Sequence, residues 1–106
     1  MADLVTRCDA NGLATLTLSR PEKLNALSSG VFFELDEHLR AIAAATDQIG
    51  LVILRGAGRG FCAGLDLDEV ASATKTITPL QQSQIIDRLG HLPQPVISAV
   101  HGVCYT

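Results

Sequence analysis

The sequence predicts an α/β fold of successive strand–strand–helix units, and three observations carry that prediction. An Asn-Gly dipeptide joins two short segments of strand character, a helix-period stripe follows them, and two largely apolar runs further on are separated by a second helical segment. Strands alternating with helices in this way build a sheet covered by helices.

Residues 4–8 and 13–19 form the first pair. The second alternates Ala14, Leu16 and Leu18 against Thr15, Thr17 and Ser19, and Asn11-Gly12 supplies the positive φ angles of a tight hairpin. Arg20-Pro21 ends the ladder, because proline has no N–H to donate. From Ser28 or Ser29 as N-cap, Val31, Phe32, Leu35, Leu39 and Ile42 recur every three or four residues, which predicts an amphipathic helix ending near Thr46. Glu34, Asp36 and Glu37 stand early in it, where the helix dipole favours anions. The unbroken apolar run 51–54 suits a strand covered on both faces. A glycine loop and a short helix over residues 66–72 come next. Thr78-Pro79-Leu80-Gln81 is a capping-box start with proline at the first helical position; Leu80, Ile85, Ile86 and Leu89 give a buried stripe, and Gly90 stops the helix. Pro93 and Pro95 bracket the exit, and residues 96–100 form the last strand. The far face of that strand, and the stripe from Val31 to Ile42, expect partners.

At 106 residues with 47% apolar and 18% charged side chains, the chain has the composition of a single folded domain. Eight Lys and Arg against eleven Asp and Glu give a charge of −3, and beyond Arg55 and Arg59 no basic cluster offers nucleic acid a footprint. No apolar run is long enough to cross a bilayer, and the opening residues have neither signal- nor transit-peptide character, so a cytoplasmic location away from membranes is expected. Cys8, Cys62 and Cys104 are odd in number and far apart, without CxxC or zinc-finger spacing, so neither a metal site nor a disulfide framework is expected.

Three segments offer chemistry. In Gly56-Ala57-Gly58-Arg59-Gly60-Phe61, Phe61 stands where a dinucleotide fingerprint needs its third glycine, and no Lys-Ser/Thr pair makes a Walker loop. Further along, Ala63-Gly64-Leu65 leads backbone N–H groups into the helix at Asp66, where unpaired donors could meet an oxyanion. Spacing alone equally accommodates an ordinary glycine turn with Asp66 as N-cap. The loop from Arg20 to Leu27 could bring Lys23 to a phosphate, and His101 could act as a base or as a structural hydrogen-bonder.

Taken in order, RPEKLNALS, GAGRGFCAGLDLDEV and PQPVISAVHGVCYT resemble the enoyl-CoA hydratase/isomerase, or crotonase, superfamily over essentially the whole chain. The resemblance implies that residues 1–106 are the N-terminal portion of a spiral core of ββα units, in a protein that assembles as a trimer or dimer of trimers. It implies an acyl-CoA thioester as substrate, with coenzyme A entering as part of it and no separate cofactor. The expected activity is a hydratase-like lyase, with isomerase, hydrolase, decarboxylase, or a non-catalytic acyl-CoA-binding module as alternatives. Leu65 would give the first oxyanion N–H, with Gly64 allowing close approach. Leu24, Ala26 and Ala63 would form the wall around the adenine, continued by Leu67, and Lys23 would partner phosphates. Asp66 would be the structural carboxylate at the helix start. Asp68 stands where many relatives have lysine, and His101 would belong to the scaffold of a second glycine turn. The second oxyanion donor and the two catalytic glutamates would lie beyond Thr106, leaving the segment inactive by itself.

Overall fold

The computed structural model describes residues 3–104. Strands β1 (Val5–Ala10) and β2 (Leu13–Leu18) pair antiparallel from Val5↔Leu18 to Ala10↔Leu13. Asn11 at φ 54° and Gly12 at φ 81° close the hairpin, as the dipeptide predicts. A 3-10 turn over Pro21–Lys23 leads to helix α1 (Ser29–Ala43), whose start is capped by the Ser28 hydroxyl accepting from the Val31 N–H. The helix stops sooner than expected. The Ala45 carbonyl accepts from the N–H groups of Gln48 and Ile49, and the resulting turn delivers Ile49 into the core.

The chain returns as β3 (Leu51–Gly56), parallel to β2 in the register Leu13↔Leu51 to Leu18↔Gly56. Strand β4 (Gly60–Cys62), helix α2 (Leu67–Ala71) and helix α3 (Pro79–Gly90) follow, then β5 (Val96–Ala99) parallel to β3, and β6 (Val103–Cys104). The main sheet has the order β1-β2-β3-β5, while β4 and β6 form a separate parallel pair. Residues 60–62 and 103–104 are expected as loop and turn, since pieces this short carry no periodicity; they are strands because they pair with each other.

The core lies on one face of the sheet. Ala14, Leu16 and Leu18 of β2 and Val52 and Leu54 of β3 meet Val31, Phe32, Leu35, Leu39 and Ile42 of α1, all of them buried. The α1 stripe is thus already partnered, contrary to expectation. Strand β3 is covered on one face rather than both: Ile53 is only half-buried, and its neighbour Ile97 on β5 is 53% exposed. Helix α3 packs on α1 along a narrow seam. Ile85 is buried and Leu89 half-buried, but Leu80 and Ile86 are 68% and 50% exposed, so the expected four-residue stripe is really two. Two of the early acids of α1, Glu34 and Asp36, also reach other elements. Glu34 accepts from the N–H groups of Leu4 and Val5 at the edge of the sheet, and Asp36 pairs with Arg40 and with Arg88 of α3.

Candidate functional site

The site is assembled from the loop after β2 and the segment after β4. In the loop, Leu24 and Asn25 both have left-handed backbones, at φ 51° and 58°. Asparagine tolerates this conformation, whereas leucine is held in it by surrounding structure. The holding group is the Asn25 side chain, which is 1% exposed. Its Oδ1 accepts from the Arg20 N–H at 2.8 Å, and its Nδ2 lies 2.9, 2.9 and 3.1 Å from the carbonyls of Ala57, Gly60 and Phe61. One amide therefore fixes both the 20–27 loop and the glycine loop beside it. Nothing in the sequence marks Asn25, since an asparagine inside a polar loop carries no local sign of burial.

The second segment lies along the first like a short strand. Ala63 N–H donates to the Leu24 carbonyl, Leu27 N–H to the Gly64 carbonyl, and Asp66 N–H to the Leu27 carbonyl, at 3.0, 2.7 and 3.2 Å. This is a parallel bridge between Leu27 and Leu65. In such a bridge Leu27 bonds to the residues on either side of Leu65, so the Leu65 N–H points away from it. Among the described residues no acceptor is found for that N–H. Gly64, at φ 86°, makes the bend that aims it, a conformation that disfavours any side chain.

Asp66 closes the segment. Its Oδ1 accepts from the N–H groups of Asp68 and Glu69 at 3.0 and 3.2 Å, capping α2, and its Oδ2 lies 2.7 Å from Arg20 Nη1. The hydrogen bond from Arg20 outweighs burial and holds the Asp66 carboxyl below its ordinary range, with the α2 N–H groups adding to the effect. Glu69 accepts from the backbone N–H and hydroxyl of Ser29 at the start of α1.

Two clefts meet at Leu65. One, of about 580 Å³, is floored by Leu27, Phe32, Gly64, Leu65 and Ile86, with Gln82, Ser83 and Asp87 of α3 along its edge. The other, of about 200 Å³, brings together Lys23, Ala26, Ala63, Asp66, Leu67 and Asp68 around the other side of Leu65. Seven of the eight sequence-predicted site residues thus border one cleft or both. Leu24 does not; its carbonyl pins Ala63 from behind. Lys23 Nζ lies 3.2 Å from Asp68 Oδ2 in an exposed ion pair, which solvent screening makes weak. A cleft of about 650 Å³ near Arg40, Arg88 and His91 is larger, but both its arginines are committed to Asp36. His101 Nε2 sits 2.8 Å from the Gly58 carbonyl, tying one glycine turn to the other. The position expected to follow Thr106 lies outside the described residues.

A backbone donor without an acceptor among the described residues therefore stands at the junction of an apolar cleft and a polar one. The chain belongs to the enoyl-CoA hydratase/isomerase family, whose model matches residues 9–106. It is 42% identical over 99 residues to the 1,2-epoxyphenylacetyl-CoA isomerase of Escherichia coli K12, covering 87% of this chain and 37% of that protein. It is 33% identical over 96 residues to a probable enoyl-CoA hydratase of Rhodobacter capsulatus, covering 88% and 36%. The crystal structure of an enoyl-CoA hydratase/isomerase from Xanthobacter autotrophicus Py2 superposes with a TM-score of 0.86 at 33% identity, covering 98% of this chain and 40% of that one. The chain thus spans a little over a third of the length of these relatives.

Proposed function

We propose that this chain binds the thioester end of an acyl-CoA, with the Leu65 N–H donating to the thioester oxygen, in a protein that adds water across a 2-enoyl-CoA. The observation that carries the reading is the Leu65 N–H, fixed by the bridge to Leu27 and without an acceptor among the described residues, where two clefts join. A preorganised donor acts where charge develops on the oxygen in the transition state, and it needs no reorganisation at that moment. The apolar cleft takes the acyl chain. The smaller cleft takes the coenzyme end, with Lys23 exchanging Asp68 for a phosphate. Asp66 stays anionic, but Arg20 neutralises it and so limits its repulsion of an enolate nearby. Coenzyme A is part of the substrate, and no further cofactor enters this reading.

A second reading is supported by the similarity to an isomerase: the same donor stabilises the same enolate, and the protons are then handled differently. Titrating the chain with crotonyl-CoA, coenzyme A, ATP and NAD tests the shared core of both. The expected order is crotonyl-CoA above coenzyme A, with ATP and NAD weaker; preference for either nucleotide overturns the reading. Following the enoyl absorbance of crotonyl-CoA tests turnover, which is expected to stay at background. Asp66 and Glu69 are committed to hydrogen bonds within the fold, and Asp68 is an exposed carboxylate, so no acid/base pair is assembled from these three.

A further inference from the structure

The two short strands that flank the site carry a cysteine each, and the register makes them direct partners: Cys62 on β4 pairs with Cys104 on β6. The register shifts between Gly60 and Cys62, so the two cysteines are matched across an irregular pairing, and neighbouring strands lie about 4.8 Å apart. Disulfides form across Cα separations of about 4.4–6.8 Å, a range that includes the spacing of paired strands. Both thiols are free; Cys62 is buried and Cys104 exposed. The Cys62 sulfur is also part of the loop that aims Leu65, because it accepts from the Gly64 N–H at 3.4 Å.

We propose that Cys62 and Cys104 form an oxidisable dithiol whose substrate is a small hydroperoxide, and that closing it displaces the Gly64–Leu65 donor. Exposed Cys104 reacts first: its thiolate attacks the peroxide O–O bond, giving a sulfenic acid and releasing the alcohol, or water from hydrogen peroxide. The Cys62 sulfur then attacks the sulfenic sulfur, losing its proton, and water leaves. Overall, two thiols are oxidised to one disulfide and one hydroperoxide is reduced. Burial raises the Cys62 thiol above its ordinary range, against the Gly64 N–H and with a smaller contribution from Cys104, so Cys62 is the less reactive thiol and is not the one that meets the peroxide first. Bridging turns the Cys62 sulfur toward β6 and away from the Gly64 N–H, so the bend at Gly64 relaxes.

This inference rests on the proposed function only for its consequence on binding, so the test reads the chemistry separately. A Cys8→Ser chain, which removes the other exposed thiol, is treated with stoichiometric hydrogen peroxide, mapped by peptide mass spectrometry and followed by amide NMR. The expected result is loss of both remaining thiols without dimerisation, a Cys62–Cys104 linked peptide, and displaced Gly64 and Leu65 amide resonances that return with dithiothreitol. Cys104→Ser added to this background should show none of the three. Absence of the linked peptide, or its presence with Gly64 and Leu65 unmoved, overturns the proposal. Crotonyl-CoA affinity should fall at least tenfold on oxidation. If the reduced chain fails to bind the thioester while the linkage and amide shifts appear, the acyl-CoA reading fails and the dithiol stands.

Discussion

Asn25 shapes the site without touching either cleft. Its oxygen accepts from one N–H and its two Nδ2 hydrogens are shared among three carbonyls, and leaving such groups buried and unpaired costs about 1–3 kcal/mol for each affected group. Asn25→Ala should therefore lower stability by about 2–4 kcal/mol, read from the denaturant midpoint, and Asn25→Asp should do more harm by aiming a carboxylate at the three carbonyls. A midpoint unchanged in both would mean that the loops hold their shape without this residue. At Leu65 the backbone matters rather than the side chain, which is 45% exposed. Leu65→Ala should retain crotonyl-CoA affinity, whereas Leu65→Pro removes the N–H and should weaken it tenfold or more with coenzyme A affinity little changed. In turnover by an active protein carrying this segment, the proline variant should lose about 10²–10³, the usual effect of removing one oxyanion donor. Equal thioester binding by a well-folded proline variant would remove Leu65 from the site.

Among the elements, α1 is held at its start by a group from outside it. Glu69 accepts from the Ser29 N–H and hydroxyl, and the Ser29 hydroxyl oxygen in turn accepts from the N–H groups of Thr76 and Ile77. A carboxylate at a helix N-terminus meets unpaired donors and the positive end of the dipole. Glu69→Ala should cost about 1–2 kcal/mol by thermal melting. Because Ser29 shares the network, Glu69→Ala and Ser29→Ala should be non-additive by about 1 kcal/mol in a double-mutant cycle. Strict additivity would show the two acting separately. By contrast α3 begins as its sequence predicts, with Thr78 and Gln81 each capping the other's N–H, because a capping box closes within one turn and depends on nothing distant.

Across the whole molecule, two carboxylates clip separate elements together. Asp66 joins the 20–27 loop to α2 through Arg20, and Asp36 joins α1 to α3 through Arg88. Both have lowered pKa values: at Asp66 the Arg20 hydrogen bond leads, and at Asp36 burial is the largest effect and opposes, but the hydrogen bonds and charges of Arg40 and Arg88 together exceed it. A carboxyl lowered on folding contributes stability that is fully present above its ordinary value of 3.8 and is lost as pH falls from there through the folded value. The melting temperature should hold from neutrality to about pH 5 and then drop. Asp66→Asn should be less stable at neutral pH and should show a shallower drop. A parallel acid profile for the variant would mean that Asp66 is not among the titrating groups.

What the sequence by itself determined is whatever chemistry closes over a few residues. Asn11-Gly12 set the hairpin, Ser28 and Thr78 the helix starts, and the three- and four-residue spacing the buried stripe of α1; the order of three motifs marked the family. Four things needed the tertiary structure. The burial of Asn25, the reach of Glu69 back to Ser29, the direction of the Leu65 N–H, and the pairing of Cys62 with Cys104 all join residues far apart in the chain. Periodicity in one segment says which side of it is apolar, but not which other segment will lie against that side or in what register. That is why α3 reads as four buried residues and buries fewer, and why β3 reads as covered on both faces and is packed on one. Local propensity fixes where an element begins, while partners brought in from elsewhere in the chain decide what each of its faces meets.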